Sequence, residues 1–233
     1  MADQNVQADE LEVVEKAKDF WFKYSKPVTY VATAIIIVFG GWYLYKNFVV
    51  RPQQDKANDL IFSAENLFDQ MAQQGFNKDS INQVLNGGAA VTTGVLKVAG
   101  NYGSTPAGNR AKIIAGACYL HAGDFNNAVK YLKDVSSTNA TQVQTTVYSM
   151  LGDAYSELKN TDEALSYYKK AAEVNPKDEF MTSEALFKEG LYAETTGKND
   201  EAISIYENIR DNYPKTAHAG EMDKYLARLG VVK

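Results

Sequence analysis

The sequence is poor in the residues that build metal centres and disulfide frameworks. Its 233 residues include one cysteine, Cys118, and two histidines, His121 and His218. A single cysteine cannot form an intramolecular disulfide, and a structural zinc site made of Cys and His needs about four ligands. The glycines of NGGAAVTTG and NYGSTPAGN do not have the spacing of a phosphate-binding loop. We therefore expect no metal, no cofactor and no enzymatic activity.

An excess of positive charge is also missing. The 24 Lys and Arg residues are outnumbered by 29 Asp and Glu residues, which gives a formal net charge of −5 at pH 7. A nucleic-acid-binding protein usually carries a basic face, so we expect no nucleic-acid partner. The hydrophobic fraction of 45% is ordinary for a globular protein. The length is sufficient for one or two domains with a buried core.

One long uncharged stretch lies near the N-terminus. Residues 27–45, PVTYVATAIIIVFGGWYLY, contain no charge, and the apolar character continues to Val50. As a helix, residues 27–50 would be roughly 36 Å long, more than the hydrocarbon core of about 30 Å. Lys46 and Asn47 follow instead of a small-residue cleavage site, so we expect a retained transmembrane helix over 27–50. Aromatic side chains near its two ends are typical of the membrane interface: Trp21, Trp42, Tyr43 and Tyr45.

The lysines around this stretch predict its orientation. Four precede it and three basic residues follow it, which places the N-terminal tail in the cytoplasm: Lys16, Lys18, Lys23 and Lys26 before, and Lys46, Arg51 and Lys56 after. We therefore expect residues 1–26 to be a cytoplasmic tail and the larger C-terminal part to lie outside. Residues 9–24 of the tail have two open interpretations, an amphipathic helix at the headgroups or a solvated segment.

A repeat explains the strict spacing of LGDAYSELKNTDEALSYYKKAAEVNP, residues 151–176. In a 34-residue unit that begins at Thr145, the small residues Gly152 and Ala164 fall at positions 8 and 20, and Tyr168 and Pro176 at positions 24 and 32. This is the tetratricopeptide repeat (TPR) pattern, a helical hairpin whose small residues allow close crossing of its two helices. Two further units bring the predicted set to residues 109–142, 145–178 and 183–216. Three tandem copies indicate an all-α solenoid.

The segments around the repeats are expected to cover the ends of the solenoid. Residues 51–108 predict an N-terminal helical cap or a degenerate repeat, and residues 217–233 a C-terminal capping helix. The predicted fold is therefore all-α: a single N-terminal transmembrane helix, then a TPR-type solenoid of about three repeats with capping helices.

The first helix of each repeat predicts a partner-binding groove, because its positions 2, 5, 9 and 12 line the concave face of a TPR solenoid. The groove mixes apolar, polar and acidic residues and lacks the Lys and Asn set that clamps a C-terminal carboxylate. An extended or helical segment with apolar anchors is a better fit. The alternative for each apolar position, packing against the neighbouring helix, stays open. The candidate contacts are Arg110, Ile113, Ala117, Leu120, Ser149, Asp153, Phe187 and Leu191.

Other chemistry-bearing residues have ordinary structural interpretations. Cys118 falls on a small-residue face of a helix, which predicts a buried, inert thiol, and His121 falls at a helix end. Acidic residues begin the second helix of two repeats, where the helix dipole favours them: Asp162, Glu163, Asp200 and Glu201.

The whole layout resembles the YfgM-like family of bacterial inner-membrane proteins. The resemblance rests on DELEVVEKAKDFWFKYSKP before the apolar stretch and GGWYLY at its end, and on NYGSTPAGNRAKIIAGACYLHAGDFNNAVKYL, residues 101–132. The last segment resembles that family's first recognisable repeat, and resembles the Bacteroidota versions more strongly. The stretch 76–94 is longer and richer in glycine than that family's.

The resemblance implies an ancillary subunit of the Sec translocon in the bacterial inner membrane. Such a subunit would be single-pass with a periplasmic C-terminal domain. Its partners would be the Sec channel, a PpiD-like membrane-anchored periplasmic chaperone and secreted client polypeptides, which it would help to pass to periplasmic chaperones. Two other functions stay open: a general cell-envelope scaffold for outer-membrane assembly or cell-wall machinery, and a regulator that acts through its cytoplasmic tail.

Overall fold

A computed structural model describes residues 2–231, with side chains from Val14 onward. Every regular element in this part of the chain is helical, and it contains no strand, which confirms the predicted all-α class. The chain divides into two units, residues 1–53 and 54–233.

The first unit consists of α1 (Ala2–Tyr45) and a π-helical turn (Lys46–Val50). Pro27 lies inside α1, and the π-helical turn comes two residues before Pro52, which has no N–H to donate. The helical stretch Val14–Gln74 contains a window that is long and apolar enough to cross a membrane, and none of that window is buried. A core helix of a water-soluble protein would instead be largely covered.

The predicted interfacial aromatics of α1 are all exposed. Trp21, Trp42, Tyr43 and Tyr45 each leave more than half of their surface free, and the ammonium of Lys46 lies 5.0 Å from the centre of the Trp42 ring. Long basic side chains and amphipathic rings favour the headgroup region of a bilayer. These positions fit a membrane interface.

The unit boundary falls within α2 (Arg51–Gln74), and nine further helices follow it. They are α3 (Lys78–Asn86), α4 (Val95–Tyr102), α5 (Pro106–His121), α6 (Phe125–Lys133), α7 (Thr141–Glu157), α8 (Thr161–Glu173), α9 (Glu179–Thr195), α10 (Asn199–Asn212) and α11 (Met222–Arg228). A 3₁₀ turn, Ala219–Glu221, precedes α11. From α3 onward, each helix packs mainly on its neighbours in sequence.

Side-chain caps explain where five of these helices begin. In each, an oxygen of the residue before the helix accepts a hydrogen bond from the backbone N–H three residues later; these caps are Asn77, Thr105, Asp124, Asn160 and Asp178. Such a cap contributes about 1 kcal/mol of helix stability. The first helices of the three hairpins start at Pro106, Thr141 and Glu179. These starts lie three or four residues before residues 109, 145 and 183, where the repeat pattern begins.

The three hairpins α5/α6, α7/α8 and α9/α10 close around a glycine in the first helix. A Cβ atom added at Gly152 would lie 2.5 Å from the ring of Tyr168, and one at Gly190 would lie 2.6 Å from the ring of Tyr206. Gly116 stands in the same relation to Leu132, at 2.5 Å. The absence of a side chain at these positions is therefore what lets the two helices of each hairpin come together.

The ends of the second unit are covered by helices outside the three hairpins. Ile61 of α2 and Val84 of α3 are fully buried in a cluster that extends to α5. Between α3 and α4 the chain turns at Gly87, which has a φ of +92° that favours glycine. At the other end, Met222 and Leu226 of α11 are buried against α9 and α10.

Candidate partner-binding groove

A cavity of about 940 Å³ is lined by α2, α5, α7 and α9 together with Asp178. Its volume is within the range of roughly 300–1,000 Å³ that is typical of ligand sites. Two of its phenylalanines are largely exposed, Phe62 at 63% and Phe180 at 71%, and Val143 is 39% exposed. Clustered exposed apolar side chains of this size mark interaction surfaces. We call this cavity the groove.

The charges of the groove are mostly negative. Arg110 of α5 donates to Glu65 of α2 at 2.6 Å and to the side-chain oxygen of Asn58 at 3.0 Å, so its guanidinium is neutralised within the wall. Asp69 and Asp178 also line the groove. Three carboxylates therefore face one guanidinium. The lining combines apolar anchors with an acidic surplus, which is complementary to a polypeptide that carries apolar and basic residues.

A second cavity of about 390 Å³ lies between α5 and α7. Leu120 and His121 contribute from α5, Phe125 follows them, and Met150 and Asp153 contribute from α7. The two cavities share no lining residue, although both use α5 and α7.

The eight residues proposed from the repeat pattern fall into three groups. Arg110 and Ile113 line the groove. Ala117, Leu120 and Asp153 line the second cavity, although Ala117 is only 8% exposed. The remaining three line neither cavity: Ser149, Phe187 and Leu191.

The carboxylate of Asp153 forms contacts within the protein. It accepts a 2.9 Å hydrogen bond from the hydroxyl of Tyr168 and lies 2.8 Å from the ammonium of Lys188. Burial, and then the charge of Asp153, raise the pKa of Tyr168, so the phenol stays a donor. Asp153 thus holds three helices together, α7, α8 and α9.

Phe187 is half-buried in an aromatic cluster instead of facing a cavity. Its ring stacks on His218 with 4.3 Å between ring centres and meets Tyr225 edge-on at 5.3 Å. Leu191, one turn later, is 41% exposed. Of the two apolar residues proposed on α9, Leu191 is the more accessible to a partner.

Sequence reasoning missed the most exposed apolar residues of the groove. Phe62 lies on α2, which the repeat pattern does not include, and Phe180 precedes the pattern that starts at residue 183. The capping residue Asp178 was the available signal for Phe180, because it starts α9 at Glu179. Phe62 lies outside the set of buried residues of α2. That position in the helical pattern could have predicted its exposure.

The residues for which the sequence predicts ordinary structural roles have surroundings that agree with those roles. Cys118 is fully buried, and burial raises the pKa of its thiol to about 12. The ring of His121 stacks on Phe76 with 3.5 Å between ring centres, and burial lowers its pKa. Asp162 and Asp200 lie in the first turns of α8 and α10. Among the described residues, no three His, Cys, Asp or Glu side chains are grouped to hold a metal ion.

A comparison with known families agrees with this architecture. The sequence profile of the tetratricopeptide repeat-like domain matches residues 18–222, so the match starts in α1 and ends at the beginning of α11. A comparison with curated proteins gives no match. Domains of this kind are protein-interaction modules, and the profile covers most of the sequence. The chain therefore belongs to the tetratricopeptide repeat-like domain family.

Proposed function

We propose that this protein is a non-enzymatic adaptor, anchored in the bacterial inner membrane, that binds secreted polypeptides at the Sec translocon. The observation that carries the proposal is the groove, in which Phe62 and Phe180 are exposed beside an acidic surplus. Such a surface suits an unfolded chain, which presents apolar side chains that a folded protein would bury.

The anchoring part of the proposal uses the apolar window of Val14–Gln74. We place residues 1–26 in the cytoplasm, a span over 27–50, and residues 51–233 in the periplasm. Exposed aromatics near each end of the apolar stretch support this arrangement. Within the periplasmic part, residues 109–142, 145–178 and 183–216 are the proposed repeats, and 51–108 and 217–233 are the proposed caps.

The choice of the Sec translocon comes from the resemblance of the N-terminal segment and of residues 101–132 to the YfgM-like family. In this role the channel would deliver a client as it emerges, and a PpiD-like chaperone would be the neighbouring partner. The groove would hold the client through Phe62, Phe180 and the proposed contact Ile113, and the proposed contacts Ser149 and Leu191 would meet the client outside the groove. Binding through many weak apolar contacts would allow a client to leave again quickly.

The test is an affinity purification of the tagged full-length protein from membranes dissolved in mild detergent, with bound proteins identified by mass spectrometry. We expect Sec channel subunits together with a membrane-anchored periplasmic chaperone. Recovery of outer-membrane assembly or cell-wall proteins without Sec subunits would replace the translocon role with that of an envelope scaffold. A matched sample that lacks residues 1–26 separates the adaptor from a regulator, because only the regulator loses its partners.

A further inference from the structure

Glu189 is a buried carboxyl group without a partner. It stands in the first helix of the third hairpin, at the position that Leu151 holds in the second hairpin, and the residue is only 5% exposed. It forms no hydrogen bond and no ion pair in the described part of the chain, residues 14–231. A carboxylate that is largely removed from water and has no partner is destabilised in its charged form.

The carboxyl group faces an open cavity of about 440 Å³ that is lined mainly by α8, α9 and α10. Ala172, Leu186 and Ile205 form its apolar wall, and all three are buried. Thr182 and Asn208 add polar atoms. None of the residues that line this cavity lines the groove, so the two sites are separate.

The charged groups around Glu189 leave a negative surplus. Glu173 and Lys169 face it from α8, and Glu201 faces it from α10. Lys169 is exposed and forms no ion pair with Glu189 within 4 Å, so its charge acts on the carboxylate only at longer range. The ammonium of Lys198 lies 3.9 Å from Glu201, so three carboxylates and two ammonium groups leave a net charge of −1 around the ionised cavity.

We propose that this cavity binds the side chain of an arginine from a protein partner, with Glu189 as the counter-ion of the guanidinium. The apolar wall fits the aliphatic stem of arginine, and the carboxylates fit its charged end. A guanidinium is more weakly hydrated than an ammonium and pairs with a carboxylate through two parallel hydrogen bonds. Arginine is therefore preferred over lysine in a buried site. The site does not depend on the function proposed for the groove.

The ionisation of Glu189 provides a second way to observe the site. Burial first, and then the charge of Glu201, raise the pKa of Glu189 to about 7, with a smaller upward contribution from Glu173 and an opposing one from Lys169. A cation binds the ionised form, so affinity is expected to rise as the pH increases from 6 to 8. Binding in turn lowers the pKa of Glu189.

The experiment is a saturation-transfer NMR titration of the full-length protein in detergent micelles with N-acetyl-arginine amide. N-acetyl-citrulline amide, which has the same shape without the charge, is the matched control ligand. At pH 8 we expect the arginine compound to bind at least about tenfold more tightly than the citrulline compound, a difference of about 1.4 kcal/mol. Glu189→Gln should remove this preference, and Lys169→Gln, at an exposed position, should increase it.

Equal binding of the two compounds, or an unchanged preference in Glu189→Gln, would overturn the proposal. Circular dichroism shows whether Glu189→Gln is folded. If Glu189→Gln is unfolded, Lys169→Gln provides an independent test. An unchanged preference for the arginine compound in Lys169→Gln would contradict the proposed site. Tighter binding of free arginine or spermidine than of the capped residue would overturn the assignment to a protein partner. Phe180→Ala, in the groove, should leave arginine binding unchanged. This variant therefore distinguishes a failure of the groove proposal from a failure of the arginine site.

Discussion

The hydroxyl of Tyr168 in α8 donates a 2.9 Å hydrogen bond to the carboxylate of Asp153 in α7. The same carboxylate lies 2.8 Å from the ammonium of Lys188 in α9. One side chain thus joins the two helices of its own hairpin to the first helix of the next. Asp153 had been proposed from the repeat pattern as a partner contact, and its present neighbours give it a structural role.

Replacement of Asp153 by alanine should therefore destabilise the fold. The phenol of Tyr168 would lose its acceptor inside the hairpin, and we expect the free energy of unfolding to fall by about 1–3 kcal/mol. Thermal unfolding of the full-length protein in detergent, followed by circular dichroism, measures the loss. Lys188→Met is the control, with a smaller effect because the Tyr168 bond remains. If Asp153→Ala is as stable as the unsubstituted protein, the carboxylate of Asp153 does not stabilise the fold and is available for a partner.

Gly152→Ala should lower the stability of the fold, although it adds only one methyl group. The new methyl group would lie 2.5 Å from the ring of Tyr168, which is only 4% exposed and has no room to move. We expect a loss of about 1–3 kcal/mol in the free energy of unfolding, as is typical of overpacked cores. Gly100→Ala is the matched control, because nothing lies within 4 Å of its added Cβ. It should be neutral or stabilising by up to about 1 kcal/mol, and equal losses in both variants would contradict the close-crossing explanation.

Phe62→Ala and Phe180→Ala should separate binding from stability. Both side chains are more than 60% exposed, so we expect stability to change by less than about 0.5 kcal/mol. Capture of a permanently unfolded, carboxymethylated polypeptide should weaken by about five- to tenfold, which corresponds to roughly 1–1.4 kcal/mol. Fluorescence anisotropy with the labelled polypeptide gives the affinity.

Phe187→Ala is the contrasting variant for this measurement. Its ring packs on His218 and Tyr225, so stability should fall by roughly 1–3 kcal/mol, less than for a fully buried phenylalanine. If Phe187→Ala abolishes capture at full stability while the two groove variants bind normally, the binding surface lies around Phe187 and the groove proposal is wrong.

Glu189 should make stability depend on pH in a specific direction. Its pKa is raised from 4.5 to about 7 in the folded protein, so the folded state holds a proton that the unfolded state releases. The free energy of unfolding should fall as the pH rises from 4.5 through 7, by roughly 2–3 kcal/mol in total. Glu189→Gln cannot ionise, so its stability relative to the natural protein should increase over this range. Parallel melting temperatures of the two proteins between pH 4.5 and 8 would show that Glu189 does not titrate in this way.

The sequence allowed the hairpins to be predicted because their requirements are local. Gly152 and Tyr168 are fixed by the crossing of two adjacent helices, and this spacing is visible in the sequence. The groove was harder to predict because it depends on helices from outside the repeats. Phe62 reaches it from α2, and only the folded chain shows that α2 lies beside α5, where Arg110 pairs with Glu65. Which apolar residues remain exposed, such as Phe180, likewise depends on packing between hairpins.

The dominance of contacts between consecutive helices has a consequence for how the second unit folds. Its three buried clusters cover residues 57–118, 132–168 and 165–226, so most stabilising contacts join residues close in sequence. Low contact order favours rapid folding, because only short loops must close before contacts form. A solenoid also acquires its structure by propagation from any hairpin that has closed. During synthesis from the N-terminus, the chain would therefore complete each hairpin as its residues become available, without waiting for the C-terminal residues.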